Sequence, residues 1–325
     1  GLSSRPSFDI DVNTSTESQD NSSEIPPDQN DKWQTRETEQ VFVESLEEWR
    51  KAHNIEKMTL GGHSMGGYLS VAYCEKYPQH VERLILISPA GVPDDREVDI
   101  KGRLKDAPLK FRLAVGVVSK FFHLGVTPSS FLRKFPEKRG RAMVQRYVEG
   151  RLPAITCPDE KTHLTDYLYT NAMLPGSGED CLNKILKPTT FAHKPTLHRI
   201  PLLQVKNVSF IYGQNDWMDA NGGIQTMEKC DELRKEAGKG DTPHVHVYGV
   251  RNAGHLLMLE NWKEFNSAIA LATGRGGRLS SHAPMPYDVK GPESAGRRFF
   301  APPRWARKDA DTVNDGGEQR RPATA

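Results

Sequence analysis

Ser64 is the residue whose type and setting first suggest chemistry. It lies in the stretch Gly-Gly-His-Ser-Met-Gly-Gly, between a β-type run at 57–60 and a helix-type run at 68–77. A serine on a sharp strand-to-helix turn presents its hydroxyl where a base can reach it. We expect Gly62 and Gly66 to be required, because a Cβ at either position would clash with the neighbouring strand or helix. The spacing alone is a weak signal, and an inert serine in a glycine-rich turn is the alternative.

Two further side chains extend this constellation. Asp216 follows a predicted strand at 208–212, and His255 follows a second predicted strand at 244–250. Because the carboxyl ends of parallel strands meet at one edge of a sheet, we expect Ser64, Asp216 and His255 to lie together. In that arrangement the serine attacks an acyl carbonyl, the histidine exchanges the proton, and the aspartate orients the imidazole.

The acid and the oxyanion donors are less firmly fixed by the sequence. Asp219 lies three residues after Asp216 and competes with it as the acid. We favour Asp216 because it falls in a strand-Gly-x-x-Asp turn. The backbone N–H of Met65 is the expected first oxyanion donor. A second donor normally comes from a loop after an earlier strand, often one that begins His-Gly, and this sequence has no such loop.

The elements that must position these residues predict an α/β fold. A helical pattern at 32–53 precedes the strand before Ser64, and a buried strand at 81–87 follows the helix after it. Strand, helix and strand form a βαβ unit, so the sheet is expected to be parallel. The stripe of the first helix that we expect in the core consists of Val41 or Phe42, Leu46 and Trp49. The residues expected on its solvated face are Glu44, Glu47, Glu48, Arg50 and Lys51.

The rest of the chain divides by composition. We expect one domain over residues 1–274, with a disordered insertion at 9–30 and a helical insertion at 94–203. Helical patterns at 223–238 and 256–273 flank the strand at 244–250. Residues 275–325 are rich in Gly, Pro, Arg and Ser without periodicity and are predicted to be a disordered tail.

Composition limits the classes of function. The net charge of +2 over 325 residues gives no field that favours nucleic acid. The mean hydropathy of −0.63 is low, as expected if polar segments dilute a normal core. Four scattered cysteines predict neither a disulfide framework nor a zinc site. The proposed chemistry needs no metal and no cofactor.

Residues 109–135 suggest contact with a lipid surface. Apolar residues recur at helical spacing beside Lys and Arg, which is typical of a helix lying on an anionic membrane. The alternative is an ordinary helix that packs over the site with a solvated basic side. Both interpretations can hold together.

The sequence also resembles a lipid-acting branch of the α/β-hydrolases. This branch contains a fungal cardiolipin-specific deacylase, a lysophosphatidic acid acyltransferase, and animal abhydrolase-domain proteins that act on N-acyl phospholipids and lipid droplets. The matching stretches are Gly1–Phe8, Gly62–Gly67, Arg83–Val92, Gly125–Phe131, Tyr167–Glu179, Ile185–Ile200, Phe210–Met218 and Gly254–Asn266.

The resemblance implies an α/β-hydrolase fold with a mostly parallel sheet and a helical lid. It also implies acyl-ester chemistry on a phospholipid substrate at a peripheral membrane surface. The implied setting is mitochondrial, and the alternatives are the cytoplasm and the lipid droplet. It assigns Ser64, Asp216 and His255 as the triad. Several members carry His-x-x-x-x-Asp, linked to acyl transfer, and Glu260 stands at the acidic position here. Its alternative role is a first-turn acid favoured by the helix dipole.

The start of the chain carries one more expectation from the resemblance. Gly1–Phe8 matches a stretch that in the family lies just after an early strand of the sheet. We therefore expect this sequence to lack the first strands and the second oxyanion donor, which would expose an edge of the sheet. A chain of this kind is expected to be poorly stable and nearly inactive by itself.

Overall fold

The computed structural model describes residues 27–97, 109–152, 154–188, 191–237, 242–275 and 285–286. Within these residues a central sheet carries helices on both faces, and further helices lie between the second and third strands. The strands are β1 (Met58–His63), β2 (Val81–Ile87), β3 (Asn207–Gly213), β4 (His244–Val250) and β5 (Met285–Pro286). The helices before β3 are α1 (Pro27–Ala52), α2 (Met65–Lys76), α3 (Leu109–His123), α4 (Pro128–Leu132), α5 (Glu137–Arg151), α6 (Pro158–Met173) and α7 (Leu182–Ile185). Those after it are α8 (Asn221–Ala237), α9 (Leu257–Glu260) and α10 (Trp262–Ala272).

The sheet has the order β1-β2-β3-β4-β5. The first four strands pair in parallel, so their carboxyl ends share one edge. Leu84 of β2 aligns with Leu60 on β1 and with Val208 on β3, and all three side chains are buried. The parallel sheet that the βαβ pattern predicted is therefore confirmed.

The two faces of the sheet have separate cores. On one face α2 and α8 bury a large cluster that includes Tyr68, Val71 and Ile224. On the other face α10 packs Ala268 and Ala272 against strand residues such as Ile211. A parallel sheet that is covered on both faces needs apolar residues on both sides, which is why β2 contains the unbroken apolar run 84–87 and β3 the run 210–212.

The first helix differs from its prediction. Helix α1 begins at Pro27, so residues 27–30 of the predicted disordered insertion are helical, and residues 9–26 lie outside the described residues. Trp49 was predicted to face the core, but it is 50% exposed and stacks on His53. Glu47 and Arg50 were predicted to be solvated, but they are buried as an ion pair. Polar residues can enter a core when each satisfies the other, and hydrophobic periodicity does not detect this.

The end of the domain also departs from the expected pattern. The predicted helix over 256–273 is broken into α9 and α10 at Asn261, whose side chain caps α10 by accepting from the Glu264 N–H at 3.3 Å. The tail predicted as disordered contributes Met285–Pro286, which pairs antiparallel with β4. The other residues after 275 lie outside the described residues.

The helical insertion predicted for residues 94–203 contains α3 to α7 in its described part. Helices α5 and α6 pack against each other around Val144, Val148 and Tyr169. Residues 191–203 return to the main core, where Ala192 and Ile200 are fully buried. A search of the described residues for a helix long and apolar enough to cross a bilayer finds none.

Candidate active site

Ser64 occupies a strained turn between β1 and α2. Its φ of 57° and ψ of −121° lie in a region that residues with a Cβ rarely adopt. Such a conformation costs about 1–3 kcal/mol and persists only where the surroundings hold it. The Ser64 N–H donates to the Ile87 carbonyl at 2.9 Å, and the Ala90 N–H donates to the Ser64 carbonyl at 3.0 Å. The end of β2 therefore clamps the serine backbone on both sides.

The glycines around the serine do not share one role. A Cβ at Gly62 would lie 2.3 Å from the Gly66 carbonyl oxygen and 2.5 Å from the Ser70 hydroxyl, so the predicted clash is confirmed there. The predicted clash at Gly66 is wrong, because a Cβ there would meet no described heavy atom within 4 Å. The approach of helix to strand is made by the Gly66 carbonyl, which points at Gly62. The second sterically required glycine is Gly67, where a Cβ would lie 2.8 Å from the Pro89 side chain.

Asp216 and His255 meet at the same edge of the sheet. The Asp216 Oδ1 lies 3.1 Å from His255 Nδ1 and also accepts from the Met218 N–H at 3.0 Å. Because the carboxylate only accepts, the histidine nitrogen that faces it carries the proton, which leaves Nε2 free to act as a base. Asp216 is buried, and its Oδ2 has no hydrogen-bond partner among the described residues.

Asp219, the competing acid, is hydrogen-bonded at the entry to α8. Its carboxylate accepts from the Asn221 N–H at 3.0 Å, at the start of α8. An acid in this position satisfies a free amide at a helix N-terminus. The geometry therefore separates the two aspartates, with Asp216 paired to His255 and Asp219 at the entry to the helix.

The loops that carry Asp216 and His255 are locked to each other. The Asn215 N–H donates to the Ala253 carbonyl at 2.7 Å, and the Gln214 N–H donates to the Val250 carbonyl at 2.8 Å. A Cβ at Gly213 would lie 2.2 Å from the Gly254 carbonyl oxygen, so the two backbones are in contact. This contact fixes the distance between acid and histidine through the main chain.

His255 lies between two aromatic side chains that the sequence reasoning missed. Its ring centroid is 4.6 Å from that of His63 and 4.8 Å from that of Trp217. His63 Nε2 lies 2.8 Å from the His255 carbonyl oxygen, and since a carbonyl only accepts, His63 donates from Nε2. Burial lowers the pKa of His63, which favours the neutral ring. The only sequence signal for either residue is its position, one residue before Ser64 or one after Asp216.

The histidine is thus placed beside the serine turn. In the described contacts no hydrogen bond joins the Ser64 hydroxyl to His255, and the link between them runs through His63, the residue that precedes the serine. Hydrogen bonds between catalytic groups are often long before substrate binds. Met65 is the first residue of α2, where a backbone N–H has no acceptor within the helix and the helix dipole favours a negative charge. Its N–H therefore remains the predicted oxyanion donor.

Glu260 supports the histidine loop. Its carboxylate accepts from the N–H of Gly254 at 2.9 Å, and Gly254 directly precedes His255. The residue ends the one-turn helix α9, so its predicted position in a first turn is confirmed. Its hydrogen-bond partner is the loop backbone.

The helical insertion reaches the site through the residue after the histidine. Leu256 packs against the cluster formed by α4, α5 and α6, whose members include Leu132, Val148 and Tyr169. An apolar layer therefore lies next to the predicted base. A layer of this kind excludes water and offers a surface to an acyl chain.

A second group of titratable residues lies after β2 and has its charges compensated by the protein. Ligand-type atoms of Asp94, Glu97 and His198 lie within 4.8 Å of one another. The Arg96 guanidinium donates to both Asp94 carboxylate oxygens and holds the pKa of that carboxyl well below its usual range. The Lys229 ammonium lies 3.0 Å from His198 Nδ1. Two protein cations thus already bind this group.

Comparison with known proteins agrees with this fold. The family model described as alpha/beta hydrolase fold matches residues 19–261. A 1-acylglycerol-3-phosphate O-acyltransferase of Arabidopsis thaliana is 34% identical over 73% of this chain and 54% of its own length. The 1-acylglycerol-3-phosphate O-acyltransferase ABHD5 of Homo sapiens is 30% identical over 83% of this chain and 66% of its own length. The solved meta-cleavage product hydrolase of Pseudomonas fluorescens is 17% identical, with a TM-score of 0.45 over 74% of this chain and 72% of that one.

The chain spans between about half and two thirds of the length of these curated relatives, with 54% of the plant protein and 66% of the human one covered. The family model alone covers most of the chain and includes Ser64, Asp216 and His255. The chain belongs to the α/β-hydrolase fold family.

Proposed function

We propose that this protein cleaves acyl esters of phospholipids through a serine acyl-enzyme. The observation that carries the proposal is the Asp216–His255 contact of 3.1 Å at the sheet edge where Ser64 is held in a strained turn. An acid, a base and a partly exposed nucleophile in these roles are the parts of acyl transfer to serine.

The reaction follows from these positions. The Ser64 hydroxyl oxygen forms a bond to the acyl carbon while its proton passes to His255 Nε2. The Met65 N–H stabilises the oxyanion, and Asp216 stabilises the imidazolium. When the ester C–O bond breaks, the lysophospholipid alcohol takes the proton from His255. Water then attacks the acyl-enzyme by the same route and releases the fatty acid.

Support for a phospholipid substrate comes from the relatives and from the insertion. The plant and human relatives are named for 1-acylglycerol-3-phosphate, a lysophospholipid. The apolar cluster beside Leu256 offers acyl chains a surface next to the histidine. Cardiolipin and the mitochondrion remain part of the proposal through the resemblance to the fungal deacylase, and imaging of the tagged protein with a mitochondrial marker tests the location.

A second candidate is acyl-CoA-dependent acyl transfer to lysophosphatidic acid, favoured by the printed names of the relatives. In this reaction the lysophospholipid hydroxyl, instead of water, attacks the acyl-enzyme. Glu260 is the residue linked to this activity by the family motif, and its carboxylate is bound to the Gly254 N–H. We therefore assign Glu260 to the support of the loop in either reaction.

One assay separates the candidates. Purified protein is given a phospholipid with a fluorescent acyl chain, with and without acyl-CoA and lysophosphatidic acid, and both free fatty acid and phosphatidic acid are measured. We expect fatty acid without acyl-CoA, and loss of it in Ser64→Ala. Phosphatidic acid formed only with acyl-CoA would favour the transferase. A Ser64→Ala protein that keeps every cellular effect of the wild type would favour a third possibility, a non-catalytic scaffold on lipid surfaces.

A further inference from the structure

The outer side of α3 exposes a stripe of large apolar side chains. Its members are 46% to 68% exposed, although each would be expected in a core. These residues are Leu109, Leu113, Val117, Phe121 and Leu124. The first four are spaced by four residues, so they line one side of the helix.

The other side of α3 is anchored to the protein. Phe122 is partly buried against the main core. The turn after the helix is fixed by a capping box, in which Thr127 and Ser130 each accept from the backbone N–H of the other. The stripe is therefore held outward by packing on the opposite face.

The exposed patch continues onto α4. Phe131 is 40% exposed, and its ring lies 6.5 Å from that of Phe121 and 4.9 Å from that of Phe135. Contiguous exposed apolar patches of this kind mark interaction sites more often than isolated exposed residues do. We call the five α3 residues together with Phe131 the apolar patch.

The charges beside the patch have one sign. Residues 109–136 contain five Lys and Arg and no Asp or Glu. Arg133 pairs with Glu179, but Arg112, Lys120 and Lys134 are exposed and pair with no carboxylate in the described part of the chain. Exposed cations without a carboxylate partner also occur elsewhere among the described residues, as at Lys57 and Arg146. What distinguishes the cations around the patch is their position beside exposed apolar side chains, where they are free to face an anionic surface.

We propose that the apolar patch and its cations form the face by which this protein binds an anionic phospholipid bilayer. A helix of 15 residues is about 22 Å long and can lie in the plane of the interface, with its apolar side about 5–10 Å deep. The cations Arg112, Lys120 and Lys134 then face the anionic headgroups. This inference deepens the proposed function and rests on it, because a membrane-binding face would serve an enzyme that acts on phospholipids. The insertion that carries the patch also contacts Leu256, the residue after His255.

Vesicle sedimentation tests the binding face. Wild-type protein is mixed with vesicles of phosphatidylcholine alone or of phosphatidylcholine with phosphatidylglycerol. We expect the anionic vesicles to bind at least about tenfold more strongly and to release the protein as salt rises. Leu113→Glu with Val117→Glu is expected to abolish binding to both. Arg112→Glu with Lys120→Glu is expected to remove only the preference for anionic vesicles.

The matched control is Leu202→Glu, which changes a leucine that is 79% exposed outside the patch and leaves binding intact. Circular dichroism shows that each variant is folded. Equal binding of both vesicle types by the wild type would overturn the proposal. Unchanged vesicle binding by the variant with Leu113→Glu and Val117→Glu would also overturn it. If the wild type is a dimer that does not bind vesicles, and Leu113→Glu with Val117→Glu makes it monomeric, a second copy of the chain covers the patch instead.

The two proposals fail separately. Ser64→Ala is expected to bind vesicles like the wild type. A short-chain soluble ester reports the serine chemistry without a membrane. A wild-type protein that binds vesicles but does not cleave the soluble ester would refute the proposed function alone, and a wild-type protein that cleaves the ester but does not bind vesicles would refute the membrane face alone.

Discussion

An arginine joins two helices in the main core and another does so in the insertion, but their surroundings differ. Arg199 is nearly buried and bonds Glu39 of α1 at 2.8 Å and Glu75 of α2 at 2.6 Å. Arg141 lies at the surface and pairs with Glu137 of its own helix and with Asp166 of α6. A buried pair becomes costly when it is broken, whereas an exposed pair is worth little.

The difference follows from what each region must do. The core fixes α1 and α2 so that the strained turn at Ser64 cannot relax, and Arg199 also stacks over Tyr68 at the start of α2. The insertion needs no such fixed geometry on its outer side, where the apolar patch faces outward. We infer that function constrains backbone position in the core and surface chemistry in the insertion.

The largest difference in stability is expected between variants of the two arginines. Arg199→Ala leaves Glu39 buried with only Lys194 as a cation and should destabilise the protein by about 3 kcal/mol. Arg141→Ala should cost less than about 1 kcal/mol. Urea unfolding of both variants measures the difference. Equal losses in the free energy of unfolding would show that the insertion is held as tightly as the core.

The glycines of the serine turn provide a second contrast within the core. Gly62→Ala forces a Cβ onto the Gly66 carbonyl and should cost at least about 2 kcal/mol and most of the activity. Gly66→Ala meets open space and should change stability by less than about 1 kcal/mol, since alanine is favoured in helices. Thermal unfolding distinguishes them. A loss at Gly66 as large as that at Gly62 would contradict the assigned steric roles.

The buried Glu47–Arg50 pair of α1 predicts that the stability of the protein depends on pH. The hydrogen bonds from Arg50 lower the pKa of Glu47 from 4.5 to about 2. A lowered pKa means that the pair contributes stability that is fully present above pH 4.5 and is lost as the pH falls through about 2. Unfolding measured across this window should show the decrease in the wild type, and Glu47→Gln should lose that part of the decrease. The same decrease in unfolding free energy with falling pH in both proteins would exclude Glu47 as the source of that decrease.

His63 is expected to have the smallest of these effects, and it acts through position. His63→Phe keeps an aromatic ring beside His255 but removes the donor to its carbonyl, and we expect kcat to fall about tenfold with KM little changed. His63→Gln keeps a donor at the Nε2 position and should recover most of the rate. Equal kcat values for His63→Phe and His63→Gln would show that the hydrogen bond to the His255 carbonyl has no role.

The four parallel strands and their order along the chain could be predicted from the sequence. The strands at Val81–Ile87 and His244–Val250 were predicted with their observed bounds, since one is a buried apolar run and the other alternates. The meeting of Asp216 and His255 also follows from topology, because parallel strand ends share an edge.

Contacts that depend on side-chain partners could not be predicted. Periodicity placed Glu47 outside because it could not anticipate that Arg50 and Tyr73 would bind the carboxylate in the core. The placement of His63 and Trp217 around the His255 imidazole depends on loop backbones distant in the sequence. No local pattern encodes such contacts.

Labelling with a fluorophosphonate probe tests the central claim most directly. We predict a single adduct on Ser64, slow but measurable in this chain and absent in Ser64→Ala. Asp216→Asn should slow labelling by about a thousandfold or more. Asp219→Asn, the matched control, should leave the rate within about twofold, because the Asp219 carboxylate is bound to the Asn221 N–H at the entry to α8 and an amide oxygen can accept the same bond. No adduct in the folded protein, an adduct on another residue, or equal losses in the two aspartate variants would contradict the proposed triad.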